Sequence, residues 1–97
     1  MLGRGVRHRS PHLEIAWLIN DVGRPRLGVI VPKRQSTAVA RNRLRRQVKE
    51  WMRRVGLPRL RAVDVVIRTK PQANEVDFSV LRSELGDWLA ERAPTAG

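Results

Sequence analysis

Ninety-seven residues, 41% of them apolar, are enough for one modest core and exclude two. The lack of Cys excludes a disulfide framework and a thiolate metal site, and no run reaches the roughly 20 apolar residues of a membrane span, so a soluble, intracellular chain without a signal peptide is expected. Twenty Lys and Arg against nine Asp and Glu give +11, a self-repulsion that a polyanionic partner offsets; nucleic acid is the first candidate and an anionic membrane the second.

Residues 1–5 are Gly-rich and residues 93–97 small and Pro-broken, so both ends read as frayed around an ordered core of about 6–92. Residues 12–19 alternate, with Leu13, Ile15, Trp17 and Ile19 on one side, which is strand period. Asn20-Asp21-Val22-Gly23 is turn chemistry, and Pro25 limits where the next strand begins. Residues 26–31 form a second strand, and the short connection predicts an antiparallel pair. Residues 32–37 are a loop, with Ser36 or Thr37 as the cap of a helix running from Ala38 to about Val55 and ended by Gly56 and Pro58. Residues 62–68 alternate again as a third strand. A loop follows, then a helix capped by Asp77, with Val76 and Leu81 as a staple and Phe78, Leu81, Leu85, Trp88 and Leu89 as its stripe. The expected fold is an α/β (α+β) two-layer sandwich, β-β-α-β-α, one domain over 1–97, with both helices on one face of a small sheet. The strands flanking the first helix are expected to be parallel neighbours.

Charge is concentrated in the middle. Residues 24–54 hold eleven basic side chains and one acid, Glu50, whereas residues 62–97 hold four basic and six acidic ones. On the first helix Ala40, Leu44, Val48, Trp51 and Val55 share one side at about 100° per residue. Arg45, Lys49 and Arg53 follow one another on the opposite side, beside Asn42 and Arg46. Arg41 flanks one edge of the apolar stripe, and Arg43 and Arg54 the other. Such a helix packs on a sheet while its guanidinium groups reach several phosphates at once. Lys33 and Arg34 precede the helix, whose N-terminus adds free N–H groups. A merely solvated face would mix both signs, and this one is expected to lack i, i+4 acidic partners. Spacing alone does not choose RNA over DNA.

At Arg26-Leu27-Gly28, Val31-Pro32-Lys33-Arg34 and the run Ala38-Val39-Ala40-Arg41-Asn42-Arg43-Leu44-Arg45-Arg46, the sequence resembles the protein component of bacterial ribonuclease P. Val63 to Val66, Phe78 and the Leu81–Leu89 helix are similar to later parts of that family, and residues 8–19 to its first long strand, so the resemblance covers about residues 5–92. It implies an accessory subunit of a ribozyme endonuclease that removes the 5′ leader of precursor tRNA in the cytoplasm. Catalysis lies on the RNA, with Mg²⁺ held mainly by that RNA. The implied partners are the catalytic RNA and precursor tRNA, with no membrane and no small-molecule substrate. Arg41, Asn42, Arg43, Arg45, Arg46, Lys49 and Arg53 are the implied RNA-binding residues. Lys33, Arg34, His12 and Arg26 are candidates for the leader or tRNA, in a cleft between helix and sheet. The resemblance also implies a left-handed β-α-β crossover, where the general rule gives a right-handed one. It implies a further N-terminal helix with a leader-facing aromatic, which this chain is expected to begin too late to contain in full. Ser36-Thr37 stands where the family has Gly-Asn.

Competing readings are weaker. His8 and His12 have a metal-binding spacing only on a helix, which Pro11 and the strand pattern oppose, and no carboxylate cluster completes a site. Trp17, Trp51 and Trp88 fall on apolar stripes and read as core before base stacking. Asp64 alternates with core Val and Asp77 sits at a helix start, which favours ordinary roles over nuclease chemistry. The alternative function is a general basic, ribosomal-type RNA-binding protein with no role in tRNA processing. A DNA-reading module would need a helix-turn-helix or dimer element, and the pattern holds neither.

Overall fold

The computed structural model describes residues 5–33 and 37–96. Among them four strands form one sheet: β1 (Val6–Arg9), β2 (Leu13–Ile19), β3 (Arg26–Ile30) and β4 (Val63–Thr69), in the spatial order β1-β2-β4-β3. Helices α1 (Ala38–Trp51) and α2 (Phe78–Glu91) lie on one face. Leu13, Ile15 and Trp17 of β2 and Val63, Val65 and Ile67 of β4 point to that face and are buried, as period-two alternation requires. They meet Leu44, Val48 and Met52 from the first helical segment and Leu81, Leu85 and Trp88 from α2. Trp17 and Trp88 pack edge to face, with centroids 5.5 Å apart.

The sheet order corrects the expected antiparallel pairing of residues 12–19 with 26–31. Strand β4 lies between them, antiparallel to β2 and parallel to β3. The parallel pair flanking α1 is as expected. β4 takes the centre with Val63, Val65, Ile67 and Thr69 buried against the helices, and its open face carries Val66 between Asp64 and Arg68. The connection crosses the end of β4 and is fastened there. Asn20 N–H donates to Ala62 O at 3.0 Å, and its side-chain amide donates to Asp64 Oδ1 at 2.9 Å and Arg24 O at 3.0 Å. Gly23, at φ +89°, supplies the left-handed residue of this loop.

Three further expectations change. The single first strand is a hairpin, with β1 antiparallel to β2 and Val6 opposite Trp17. The α-helix ends at Trp51 and continues as a π turn over Met52–Gly56, in which Leu57 N–H reaches Met52 O, and then as a 3₁₀ turn over Leu57–Arg59. Gly56 is therefore no left-handed cap, and Pro58 sits near the start of a turn where its missing N–H costs nothing. The C-terminal stretch is not frayed within the described residues. Leu60 bridges Thr95, Arg61 N–H donates to Pro94 O at 2.9 Å, and Ala96 N–H donates to Arg59 O at 2.8 Å.

Candidate nucleic-acid interface

Thr37 starts α1, its Oγ1 accepting from Ala40 N–H at 3.0 Å. Ser36, the other candidate cap, lies outside the described residues, as does Arg34. With Leu44 and Val48 buried on the sheet, the helix period turns Asn42, Arg45, Arg46, Lys49 and Arg53 outward around one shallow surface depression of about 340 Å³, with Glu50 at its margin. Five of the seven RNA-binding candidates are thus brought together. Arg43 turns instead toward the start of α2, beside Asn74, Asp77 and Phe78, and half-buried Arg41 flanks the opposite edge of the stripe.

The cationic face is less uniform than expected. Arg53 Nη2 contacts Glu50 Oε1 and Oε2 at 2.8 and 3.0 Å, and Arg54 Nε lies 3.2 Å from Oε1, so Glu50 does supply an i, i+4 partner. The hydrogen bond from Arg53 holds the Glu50 carboxyl below its ordinary value. Arg45 Nη1 donates to Asn42 Oδ1 at 3.0 Å, a neutral partner that leaves its full charge outward. Arg45, Arg46 and Lys49 form no ion pair among the described residues and are the uncompensated cations of this face.

The leader candidates separate. Lys33 is exposed just beyond β3, in a depression of about 480 Å³ with Glu14, Arg68 and Lys70. His12 lies at the same end of the sheet, where Lys70 N–H donates to His12 O at 2.9 Å. Its Nδ1 is 2.6 Å from Glu84 Oε2, and its backbone N–H donates to Glu84 Oε1 at 2.9 Å. The Ser10 hydroxyl also donates to Glu84 Oε1. Burial pushes the Glu84 carboxyl up, but the hydrogen bonds from Ser10 and His12 together hold it below its ordinary value. Arg26 lies at the other end of the sheet, in a two-pronged pair with Asp64 at 2.7 and 2.8 Å. That pair, with Asn20 second, holds the Asp64 carboxyl low.

Sequence reasoning missed a second cationic surface. Register places Arg7 and Arg9 of β1 and Arg68 of β4 on the sheet face away from the helices. They surround a depression of about 180 Å³ floored by Ala16, Ile30 and Val66. Glu14 and Arg68 border both this depression and that of Lys33, so the two are continuous. The available signal was Val6-Arg7-His8-Arg9, which alternates with the strand period.

Among the described residues no three His, Cys, Asp or Glu side chains gather as a metal site, and no helix is long and apolar enough to cross a membrane. Asp77 caps α2 by accepting from Ser79 N–H at 3.0 Å, as its position predicts.

The sequence matches the Ribonuclease P family over residues 1–93. It is 39% identical to the ribonuclease P protein component of Aliivibrio fischeri, covering 94% of this chain and 79% of that one. It is 35% identical to that of Syntrophobacter fumaroxidans, covering 84% and 69%. The fold is similar to the RNase P protein of Thermotoga maritima solved with 1-(4-fluorophenyl)-2-thiourea, with a TM-score of 0.81 at 26% identity over 92% of this chain and 87% of that one. It also matches the RNase P protein of Staphylococcus aureus, with a TM-score of 0.82 at 21% identity over 91% and 81% of the two chains, a likeness of fold alone.

Proposed function

Because this chain belongs to the ribonuclease P family as its protein component, the partner of ribonuclease P RNA, we propose that it seats on that RNA through the outer face of α1 and guides the 5′ leader of precursor tRNA across the opposite face of the sheet. The observation that carries the first part is the cluster of Arg45, Arg46 and Lys49 around one depression, none of them in an ion pair among the described residues, while Glu50 at its margin is held by Arg53 and Arg54. Phosphates there gain charge-assisted hydrogen bonds from groups that otherwise repel one another.

The leader belongs to Lys33, Arg68, Arg9 and Arg7, which border one continuous track. Arg26 and His12 are engaged by Asp64 and Glu84 and serve the frame that holds this track. Phosphodiester hydrolysis takes place on the RNA. Four of the nine acids are separately engaged, Glu50 by Arg53, Asp64 by Arg26, Asp77 by a helix N-terminus and Glu84 by His12 and Ser10, and among the described residues no three His, Cys, Asp or Glu side chains gather as a metal site. Magnesium is assigned to RNA phosphates and water, which suit a hard ion that dehydrates reluctantly. The whole assembly acts in the cytoplasm, where its tRNA substrates are made.

Cleavage of a precursor tRNA by a bacterial ribonuclease P RNA at limiting magnesium tests this reading. Added protein is expected to restore cleavage, and Arg45→Ala/Arg46→Ala/Lys49→Ala to lose the rescue. Arg9→Ala/Arg68→Ala is expected to keep rescue on a substrate with a very short leader and to weaken binding of a long-leader one. Tight RNA binding without rescue would support the general RNA-binding alternative.

A further inference from the structure

We propose that the groove between α1 and α2 binds one unpaired nucleotide of the RNA subunit, its base against Trp51 and Phe78 and its phosphate on Arg46 and Arg82. The inference rests on the RNA-binding reading above and adds a contact of a different kind, to a base.

The chain has four aromatic side chains, three Trp and one Phe. Trp17 and Trp88 are 7% and 0% exposed and pack on each other in the core. Trp51 and Phe78 are only half-buried, and both line one groove of about 530 Å³. Val55 continues its apolar wall, and Gln47 brings an amide, the donor and acceptor pair that reads a base edge. Arg46, Arg54 and Arg82 stand at its rim. Glu50 also borders the groove, but its carboxylate is taken by Arg53 and Arg54. Arg46 and Arg82 form no ion pair among the described residues. An aromatic wall with two guanidinium groups outside any ion pair at its mouth, Arg82 of them within electrostatic reach of Asp77, fits a ligand that carries both a flat apolar face and an anion. A nucleotide is such a ligand, and single-stranded nucleic acid is held by this pairing of stacking and charge. The groove is also contiguous with the cationic face, since Arg46 and Glu50 border both. A strand whose phosphates lie on Arg45 and Lys49 therefore needs to turn out only one base to fill it.

The test compares a single-stranded adenylate RNA hexamer with an abasic ribose-phosphate hexamer of equal charge, each end-labelled and titrated with the full chain. The base-bearing strand is expected to bind about tenfold more tightly, the value of one stacked base, and to quench Trp51 emission. Trp51→Leu is expected to abolish the difference and leave abasic affinity unchanged, and Trp51→Phe to restore part of it. The exposed Arg82→Ala variant removes no core packing and is expected to lower the salt slope for the base-bearing strand by about one. Equal affinity for the two strands, or undiminished discrimination by Trp51→Leu, overturns the inference, as does burial of Trp51 in a concentration-dependent dimer. If precursor cleavage is rescued but the strands are not discriminated, only this inference fails. If neither strand nor the ribonuclease P RNA binds, the RNA-binding reading fails with it.

Discussion

Glu84 does at residue scale what no single strand or helix does. From α2 it accepts hydrogen bonds from the Ser10 hydroxyl and His12 N–H and faces His12 Nδ1, pinning the turn between β1 and β2. Its carboxyl is held below the ordinary value of 4.5 despite burial. A depressed carboxyl stabilises the fold above its unfolded value, and that contribution is lost as pH falls through the folded one. Thermal unfolding across pH is therefore expected to show an acid limb beginning below about 4.5. Glu84→Gln should flatten that limb and lower the melting temperature at neutral pH. An unchanged acid limb in the variant would remove Glu84 from this role. The sequence hid this clasp because Ser10 and Glu84 are 74 positions apart and each is unremarkable in its own segment.

At the scale of elements, the π turn is the least expected piece. An ideal Cβ on Gly56 would lie 2.6 Å from Met52 Sδ and 3.0 Å from its Cε. Met52 is 0% exposed, so its side chain has no free space to swing into. Gly56→Ala is expected to cost about 1–3 kcal/mol in urea unfolding, as overpacking does. A gain in stability would mean that the turn relaxes at no cost. β2, β3, β4 and both helices were legible because their periods are local: Leu13-Ile15-Trp17 alternate, and Leu44-Val48 recur every turn. β1 was not, being four residues of which three are Arg or His. Of the strand order only the parallel β3–β4 pair around α1 was legible; the insertion of β4 between β2 and β3 was not, because it is a tertiary preference that no short connection reveals. The same division holds for the candidate site. The α1 face can be read from one stretch of sequence, whereas Arg7 and Arg68 meet only through the sheet.

For the whole molecule, charge is distributed on two outward faces with the core between them. The α1 face holds Arg45, Arg46 and Lys49, and the far face holds Arg7, Arg9 and Arg68. Each phosphate neutralised adds about 0.7–0.9 to the salt slope. Arg45→Ala/Arg46→Ala/Lys49→Ala is therefore expected to lower the slope for ribonuclease P RNA by about two to three. Glu50→Gln is expected to act in the opposite direction. It frees Arg53 and Arg54, so RNA affinity rises and the slope steepens by as much as about one or two. Filter binding over a salt series reads both, and a Glu50→Gln protein that binds no better would show that those two arginines stay clear of phosphate.

The placement of β4 between β2 and β3 also has a bearing on synthesis. A ribosome makes the chain from its N-terminus, so both neighbours of β4 and the whole of α1 leave it before the strand that joins them. A nascent chain that stops short of Val63 has hydrogen-bonding edges with no occupant and a polycationic segment with no surface to lie against. Truncated products therefore cannot assemble the face that the RNA grips. Completion of the last third of the chain, which carries more acid than base, is the checkpoint at which an unshaped polycation becomes a subunit.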